Sequence, residues 1–269
     1  MYRHDPIAID DEAVRDCQPT AAIAICRDPA DVVRLYSRVA WAYEAWGAIA
    51  DSRVRRHVRE LVRQSGGGNI VEAGCGSGAL LVELARDNPH GLTVGLDLAP
   101  GMVVAARRRI ERQRLPGVEV GRGDVRELVF ADDGVDTLTS SYVLDILPSD
   151  EILTALTEFR RVLRPGGRLV LVSVTPAERR RHRIPELVYG SPLPLTSNCR
   201  AIRLAPLLHQ LGFVDITRRY VSQIGLPSEV VSATKGPSDR LRALPGSATR
   251  RDAYRSARGS HHRSPRQHL

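Results

Sequence analysis

Apolar and polar positions along the middle of the chain follow the alternation of strands and helices seen in doubly wound proteins. Short apolar runs predict strands at NIVEAGC, LTVGLDL, VEVGRGD, VDTLTSS and GRLVLVSV. Between them, helical spacing predicts helices from about Gly78 to Arg86, from Pro100 to about Arg114, and around Asp150 to Leu163. Strands separated by helices of this length form βαβ units. The pattern therefore predicts an α/β fold with a mainly parallel sheet and helices on both faces.

The pattern changes after residue 175 and divides the strand-helix region, residues 67–235, into two parts. Residues 175–203 are basic and interrupted by prolines, and at this position the predicted fold commonly carries a variable insertion that recognises the substrate. The chain then returns to regular patterning with the helix IRLAPLLHQLG and two strand candidates, VDITRRYVSQ and SEVVSATK. The insertion is thus predicted between two regular elements.

The two ends of the chain differ from this region. Residues 1–66 form an N-terminal segment and a helical cap, whose last helix carries Val54, Val58 and Val62 at helical spacing and ends before a run of three glycines. Residues 236–269 are rich in Gly, Pro, Ser and Arg and have almost no apolar periodicity. We expect this tail to be disordered.

Composition narrows the class of protein. With 269 residues and 42% hydrophobic content, the chain is long enough for one substantial core. No apolar run approaches the roughly 18 residues of a membrane span, and the start lacks the layout of a signal peptide. We therefore expect an intracellular, cytoplasmic protein. The four cysteines are far apart and show no CxxC spacing, which predicts neither disulfides nor a metal site.

The net charge of +8 lies mainly in the tail. Residues 236–269 contain eight arginines and two aspartates, a net of 8 − 2 = +6, so that the remaining chain carries only 8 − 6 = +2. A basic tail on a nearly neutral body is weak evidence for binding nucleic acid.

The stretch VEAGCGSGAL, residues 71–80, places Gly74, Gly76 and Gly78 in a turn between a strand and a helix. Such a turn lets a ligand approach the backbone closely, and its spacing also satisfies the dinucleotide motif G-x-G-x-x-[G/A]. Asp97 follows 21 residues after Gly76, at the end of the next strand, where a carboxylate accepts hydrogen bonds from ribose hydroxyls. This spacing suits either NAD or S-adenosylmethionine.

Glu72 favours the second ligand. A carboxylate at the mouth of the turn repels a pyrophosphate, whereas S-adenosylmethionine brings a sulfonium and an ammonium, both positively charged. The alternative is that Glu72 binds only the local backbone. Asp124 ends the third strand at the same edge of the sheet, where it can accept from an adenine amine while Val125 packs on the ring; the alternative is a turn residue or helix cap.

Together these motifs resemble the class I S-adenosylmethionine-dependent methyltransferases, and within them the type 11 group that includes the ubiquinone and menaquinone C-methyltransferases. The similar segments are VEAGCGSG, GLDLAPGMVVAARRR, GDV, FRRVLRPGGRLVL and, in the cap, LYSRVAWAYEAW. The resemblance implies a seven-stranded Rossmann-like sheet in which SEVVSATK lies antiparallel beside the fifth strand. It also implies S-adenosylmethionine as cofactor.

Carried over by position, the resemblance implies a set of cofactor-binding residues. They are Glu72, Gly74, Gly76 and Gly78 around the methionine portion, Asp97 with Leu98 at the ribose, Met102, Asp124 and Val125 at the adenine, Ser141 and Tyr142 toward the sulfonium, and Tyr36 in the cap.

Three residues are candidates for a general base that removes a proton from the methyl acceptor. Asp145 follows the fourth strand, His182 lies in the insertion and Tyr43 lies in the cap. Each has a structural alternative, namely a turn cap for Asp145, an exposed helical face for His182, and core or lid packing for Tyr43. The arginines around His182 suit an anionic acceptor or a lipid headgroup surface, or else an exposed helical face.

The sequence therefore predicts a methyltransferase that acts on a small, moderately apolar acceptor. SSYVLDILP lacks the charged or amide-bearing segment that quinone methyltransferases carry after the fourth strand. The predicted acceptors are therefore a quinone precursor, a phenolic or polyketide metabolite, or a lipid amine. An NAD-dependent oxidoreductase is the first alternative. A nucleic-acid methyltransferase is less favoured, because only 4% of residues are aromatic. No nucleic-acid partner is expected, and the sequence leaves the oligomeric state open.

Overall fold

The computed structural model describes residues 52–176, 201–223 and 226–237. Within these ranges the chain forms five α-helices, seven β-strands and one short 3-10 helix, Leu144–Ile146. The elements in chain order are α1 (Ser52–Arg63), β1 (Ile70–Ala73), α2 (Ala79–Asp87), β2 (Thr93–Asp97), α3 (Pro100–Gln113), β3 (Val118–Arg122), β4 (Val135–Ser141), α4 (Ser149–Val162), β5 (Leu163–Val174), α5 (Leu204–Gln210), β6 (Phe213–Gln223) and β7 (Leu226–Lys235).

The seven strands form one sheet in the order β3-β2-β1-β4-β5-β7-β6. β3, β2, β1, β4 and β5 run parallel, and β7 pairs antiparallel with both β5 and β6. The predicted α/β fold is confirmed, including the antiparallel last strand beside the fifth. Because the chain order reverses between β1 and β4, their carboxyl ends open the crevice where doubly wound sheets bind ligands.

The sheet is buried on both faces, as its apolar strands require. On one face, Leu138 and Leu171 pack with Phe159 of α4 and Leu208 of α5. On the other face, side chains from α1 and α2 pack against alternate residues of the same strands; they include Val54, Val58, Val62, Leu80, Leu84, Val170, Val172 and Val230. The last helix of the predicted cap is therefore part of the core.

The Pro-Gly-Gly segment between the predicted helix around Asp150 to Leu163 and the predicted strand GRLVLVSV lies inside a strand. α4 ends at Val162 and β5 begins at once, because Leu163 already pairs with Val135 of β4. The pairing then shifts register and resumes between Thr137 and Arg168, which leaves the Pro-Gly-Gly segment as an irregularity within the strand. Gly166 has a φ of 73°, which allows the irregularity without side-chain strain.

Several predicted regions lie outside the described residues, namely residues 1–51 of the cap, 177–200 of the insertion and 238–269 of the tail. The helices found within the described ranges are all too short or too polar to cross a bilayer.

Candidate functional site

The glycine turn after β1 has one position that is open to a ligand. Gly74, Gly76 and Gly78 have φ values of 78°, 53° and 78°, a region that favours glycine. An added Cβ would lie 2.2 Å from Cγ2 of Val143 at Gly74, and 3.0 Å from Cβ of Ala106 at Gly78. At Gly76, no atom of the described residues lies within 4 Å of that position. Gly74 and Gly78 are thus required for packing, whereas Gly76 lines open space.

Backbone hydrogen bonds attach this turn to the end of β2. The amides of Gly74 and Cys75 both donate to the carbonyl oxygen of Leu96, at 2.7 and 2.9 Å. From α3, the guanidinium Nε of Arg109 donates to the carbonyl oxygen of Ser77 at 2.9 Å. The turn is therefore held in place before any ligand binds, which reduces the entropic cost of binding.

Asp97 connects the glycine turn to the start of α3. Its Oδ2 accepts from the amide of Gly76 at 2.8 Å, and its Oδ1 accepts from the amide of Ala99 at 2.9 Å. A carboxylate offers about four lone-pair sites, so acceptor capacity remains for the two hydroxyls of a ribose. Burial raises the pKa of Asp97, and the two amides partly oppose that rise.

Glu72 lies in β1 with 3% of its surface exposed. Its neighbours in the sheet are Gly95 of β2 and Thr139 of β4, and the glycine turn begins two residues later. Burial raises the pKa of the nearby Cys75 thiol well above its ordinary value, and the charges of Glu72 and Asp97 add to the rise. Cys75 is therefore a neutral packing residue, and the negative charge at this edge belongs to carboxylates.

Asp124 follows β3 and is held by a residue that the sequence analysis missed. Its Oδ2 accepts from Nη2 of Arg126 at 2.6 Å, and Arg126 also contacts Oε1 of Glu151 through Nη1 at 2.7 Å. This hydrogen bond lowers the pKa of Asp124. The only signal in the sequence was the Asp-x-Arg spacing of GDVRE. Val125, between the two residues, is buried among the side chains of the hydrophobic core.

Met102 and Leu98 lie on either side of Ala99. Met102 is in the first turn of α3, is buried, and donates its amide to the carbonyl oxygen of Ala99 at 3.0 Å. Leu98 is half-buried, and its carbonyl oxygen accepts from Nε of Arg122 at 3.2 Å. The structure thus places Leu98 directly after Asp97 and Met102 in the first turn of the helix that follows.

Tyr142 has a strained backbone at the end of β4, with a φ of 56°. Its hydroxyl oxygen lies 3.1 Å from Oγ of Ser228 on β7, and its ring packs against the apolar residues beneath α1. The side chain therefore points toward the α1 face of the sheet. Ser141 precedes it as the last residue of β4, at the crevice edge.

Asp145 lies in the 3-10 helix after β4 and is 1% exposed. Its Oδ2 accepts from the amide of Val174 at 3.0 Å, which links this helix to the end of β5. The other two predicted general bases, His182 and Tyr43, lie outside the described residues, as does Tyr36. Across the described ranges, no group of three or more His, Cys, Asp or Glu residues is arranged to hold a metal ion.

Comparison with known proteins matches the chain to methyltransferases. A family model described as a methyltransferase domain covers residues 70–167. Demethylmenaquinone methyltransferase of Listeria welshimeri is 26% identical over 149 residues, which cover 54% of this chain and 62% of that protein. Nocamycin O-methyltransferase of Saccharothrix syringae is 32% identical over 143 residues, which cover 53% of this chain and 50% of that protein. The chain therefore matches less than two thirds of the length of either relative.

A solved structure shows the same fold. Magnesium protoporphyrin IX methyltransferase from Synechocystis PCC 6803, crystallised with bound SAH, has a TM-score of 0.64 and 18% sequence identity. The match covers 78% of this chain and 100% of that chain. At this identity, the likeness concerns the arrangement of the strands and helices.

Proposed function

We propose that this chain, which belongs to the class I S-adenosylmethionine-dependent methyltransferases and resembles their quinone-methylating members, transfers a methyl group from S-adenosylmethionine to a small organic acceptor. The observation that carries this proposal is the contact between Gly76 and Asp97. Gly76 lines open space, and its amide donates to the carboxylate of Asp97, which can still accept further hydrogen bonds. A ribose can therefore bind at this point and donate both of its hydroxyls to Asp97.

The charges around this contact fit the proposed cofactor. Glu72 and Asp97 place two carboxylates beside the glycine turn, and Glu72 is almost fully buried. Such an edge repels the pyrophosphate of NAD, whereas the ammonium and sulfonium of S-adenosylmethionine compensate the buried negative charge. On the adenine side, Asp124 accepts from both the backbone amide and the guanidinium of Arg126, so an adenine amine that binds here shares these acceptor atoms with Arg126.

The protein's contribution to the reaction is orientation and exclusion of water. When bound, the cofactor supplies a methyl group on a sulfonium, which is the electrophile of an in-line displacement. Asp97 holds the ribose, Asp124 and Met102 hold the adenine, and the end of β4 directs the methyl group toward the acceptor. Burial and the Val174 amide favour a structural role for Asp145, so His182 and Tyr43 become the preferred general bases in this proposal.

We propose a moderately apolar acceptor, such as a quinone precursor, a phenolic or polyketide metabolite, or a lipid amine. The demethylmenaquinone and nocamycin methyltransferases support this range, because their names describe a quinone and a natural product as substrates. A nucleic acid is the less favoured acceptor. A steep salt dependence of RNA or DNA binding that disappears on removal of residues 238–269 would support it instead.

Calorimetric titration of the full chain with S-adenosylmethionine, S-adenosylhomocysteine and NADH tests the cofactor directly. We expect saturable binding of the two sulfur nucleosides and no heat change from NADH beyond dilution. Binding of NADH alone would contradict the proposal and favour the oxidoreductase alternative. After a positive result, incorporation of radiolabelled methyl groups into candidate acceptors distinguishes among the acceptor classes.

Gly76→Ala is expected to weaken S-adenosylhomocysteine binding by about 1–3 kcal/mol, roughly 5- to 150-fold, because the new methyl group occupies ligand space. Gly166→Ala is the matched control. Gly166 also has a left-handed φ, of 73°, and the nearest atom to its added Cβ lies at 3.8 Å, but it is at the opposite end of the sheet. Both variants should lose about 1–2 kcal/mol of stability from backbone strain. Equal affinities in the two variants would mean that Gly76 does not face the ligand.

A further inference from the structure

Arg160 carries a buried positive charge at the end of the sheet opposite the crevice. It lies in the last turn of α4, directly before β5 begins, and only 7% of its surface is exposed. Lys235, the last residue of the antiparallel strand β7, reaches the same end, because its Nζ donates to the carbonyl oxygen of Leu163 at 2.6 Å. The crevice lies at the carboxyl ends of the parallel strands, so these two cations belong to a different part of the molecule.

The guanidinium of Arg160 lacks a good acceptor among the described residues. Its Nε is buried and has no hydrogen-bond partner there. Its Nη2 donates to the carbonyl oxygens of Gly236 and Pro237 at 3.4 and 3.5 Å, distances longer than the usual range of about 2.7–3.2 Å. Burial lowers the pKa of Arg160, and the charge of Asp133 opposes that shift. The buried charge is therefore only partly compensated.

Asp133, the acid whose charge acts on Arg160, is already bound to another cation. Its Oδ1 accepts from Nζ of Lys235 at 2.6 Å, and its side chain is 53% exposed. Arg160, Lys235 and Asp133 thus carry two positive charges and one negative charge, and both cations are buried. Buried polar groups in native proteins nearly always have a partner, and an unpaired buried charge destabilises the fold. This cluster therefore requires a further acceptor, and an anionic one balances its charge.

The course of the chain points to a carboxylate of the C-terminal tail as this acceptor. The carbonyl groups of Gly236 and Pro237 already face Arg160, and the described part of the chain ends at Pro237. Asp239 follows two residues later, and two residues of extended chain span at most about 7 Å. The other acid of the tail, Asp252, is much farther along the chain. A carboxylate also accepts from two guanidinium nitrogens at once, with shorter and stronger hydrogen bonds than a neutral carbonyl accepts.

We propose that Arg160 is a carboxylate-binding site that holds Asp239 and thereby fixes the start of the C-terminal tail at the end of the sheet opposite the crevice. With Asp239 bound, the cluster of Arg160, Lys235, Asp133 and Asp239 carries two charges of each sign. The basic tail then begins far from the residues that bind the cofactor. This inference goes beyond the proposed function and does not depend on it, because the pair forms whether or not a cofactor is bound.

A double-mutant cycle of Asp239→Asn and Arg160→Met in the full chain tests the pair by thermal denaturation. Asp239→Asn alone should lower the melting temperature by about 4–8 °C, the effect of losing a hydrogen bond to a charged group in a domain of this size. In the Arg160→Met background the same change should have no effect, because the guanidinium that binds Asp239 is absent. Arg160→Met fills the buried site with an apolar side chain of similar length, so this background remains folded.

Asp252→Asn is the matched control, because it removes the same charge from the tail at a position far from Pro237. It should leave the melting temperature unchanged in both backgrounds. Equal effects of Asp239→Asn in the two backgrounds would overturn the inference. A rise in the melting temperature of the wild type, but not of Arg160→Met, in low millimolar phosphate would overturn it as well, because a small anion would then occupy the site in place of Asp239.

The affinity for S-adenosylhomocysteine separates this inference from the proposed function. Asp239→Asn should bind the ligand like the wild type, and a weaker affinity would place the start of the tail at the crevice and overturn the inference. If the wild type does not bind S-adenosylhomocysteine at all, the proposed function fails, while the double-mutant cycle still decides whether Arg160 holds Asp239.

Discussion

Glu229→Ala is expected to lower the free energy of unfolding by about 3 kcal/mol, because several donors, among them Arg218 with a 27% exposed side chain, lose a fully buried acceptor. Glu229 lies in β7 and is fully buried. Its Oε2 accepts from Nε of Arg218 on β6 at 2.5 Å and from the hydroxyl of Thr175 at 3.3 Å. Its Oε1 accepts from the amide of Leu204 at 3.0 Å. The alanine variant removes these three contacts and a longer one from the hydroxyl of Ser173, at 3.5 Å, and leaves a cavity.

Urea denaturation of the wild type, Glu229→Ala and Asp132→Ala measures the three free energies of unfolding, and Asp132→Ala is the control. Asp132 pairs with Arg161 at 2.6 Å, but the side chains of these two residues are 57% and 33% exposed. Loss of such an exposed pair costs about 1 kcal/mol or less. If Glu229→Ala lowers the free energy of unfolding no more than Asp132→Ala does, water reaches the Glu229 carboxylate in solution and its contacts do not stabilise the fold.

The position of Glu229 connects this stability to the architecture. Thr175 lies directly after β5 and is the first residue of the predicted insertion, and Leu204 opens α5 directly after the last residue of the insertion. The Glu229 carboxylate therefore binds both ends of the insertion. The amide of Ile202 also donates to the carbonyl oxygen of Val174, at 2.9 Å, so that a backbone hydrogen bond joins the two ends of the insertion as well.

The fold was predictable because its signals are local in the sequence. Apolar runs, helix spacing and the glycines before β1 and after it each identify an element within a few residues, and every predicted strand in the described ranges is present. The Glu229–Arg218 pair gave no such signal. Its contacts join residues up to 56 positions apart, and only the antiparallel placement of β7 brings them together.

Some features of the candidate site were likewise predictable from the sequence, and others were not. The glycine turn and Asp97 were predictable because backbone conformation and strand ends restrict which residues can occupy them. The pairing of Asp124 with Arg126 was not, since an arginine two residues from an aspartate is common on exposed loops. The hydrogen bond between Ser65 and Thr137 was not predictable either, because nothing in the sequence distinguishes the hydroxyl of Thr137 from that of Thr139, which has no hydrogen-bond partner among the described residues.

Asp97→Ala is expected to weaken S-adenosylhomocysteine by at least 30-fold, about 2 kcal/mol or more, measured by calorimetric titration. The substitution removes the acceptor for the ribose hydroxyls and also releases the amides of Gly76 and Ala99, so that the glycine turn loses one of its attachments. Its effect on stability at neutral pH should be smaller than its effect on binding. Burial raises the pKa of Asp97, which means that folding favours the protonated form.

Asp136→Ala is the control, because the pKa of Asp136 is shifted in the opposite direction from the pKa of Asp97. An acid with a raised pKa stabilises the fold only at low pH, and that contribution is lost as the pH rises through the folded-state pKa. Asp136 has the opposite shift: the amide of Asn69 and then the guanidinium of Arg164 lower its pKa, so it stabilises the fold at pH values above its ordinary 3.8. Asp136→Ala should therefore lose more stability at pH 7 than Asp97→Ala, yet bind S-adenosylhomocysteine like the wild type. If both variants bind equally well, Asp97 holds the turn for structural reasons alone and the ribose lies elsewhere.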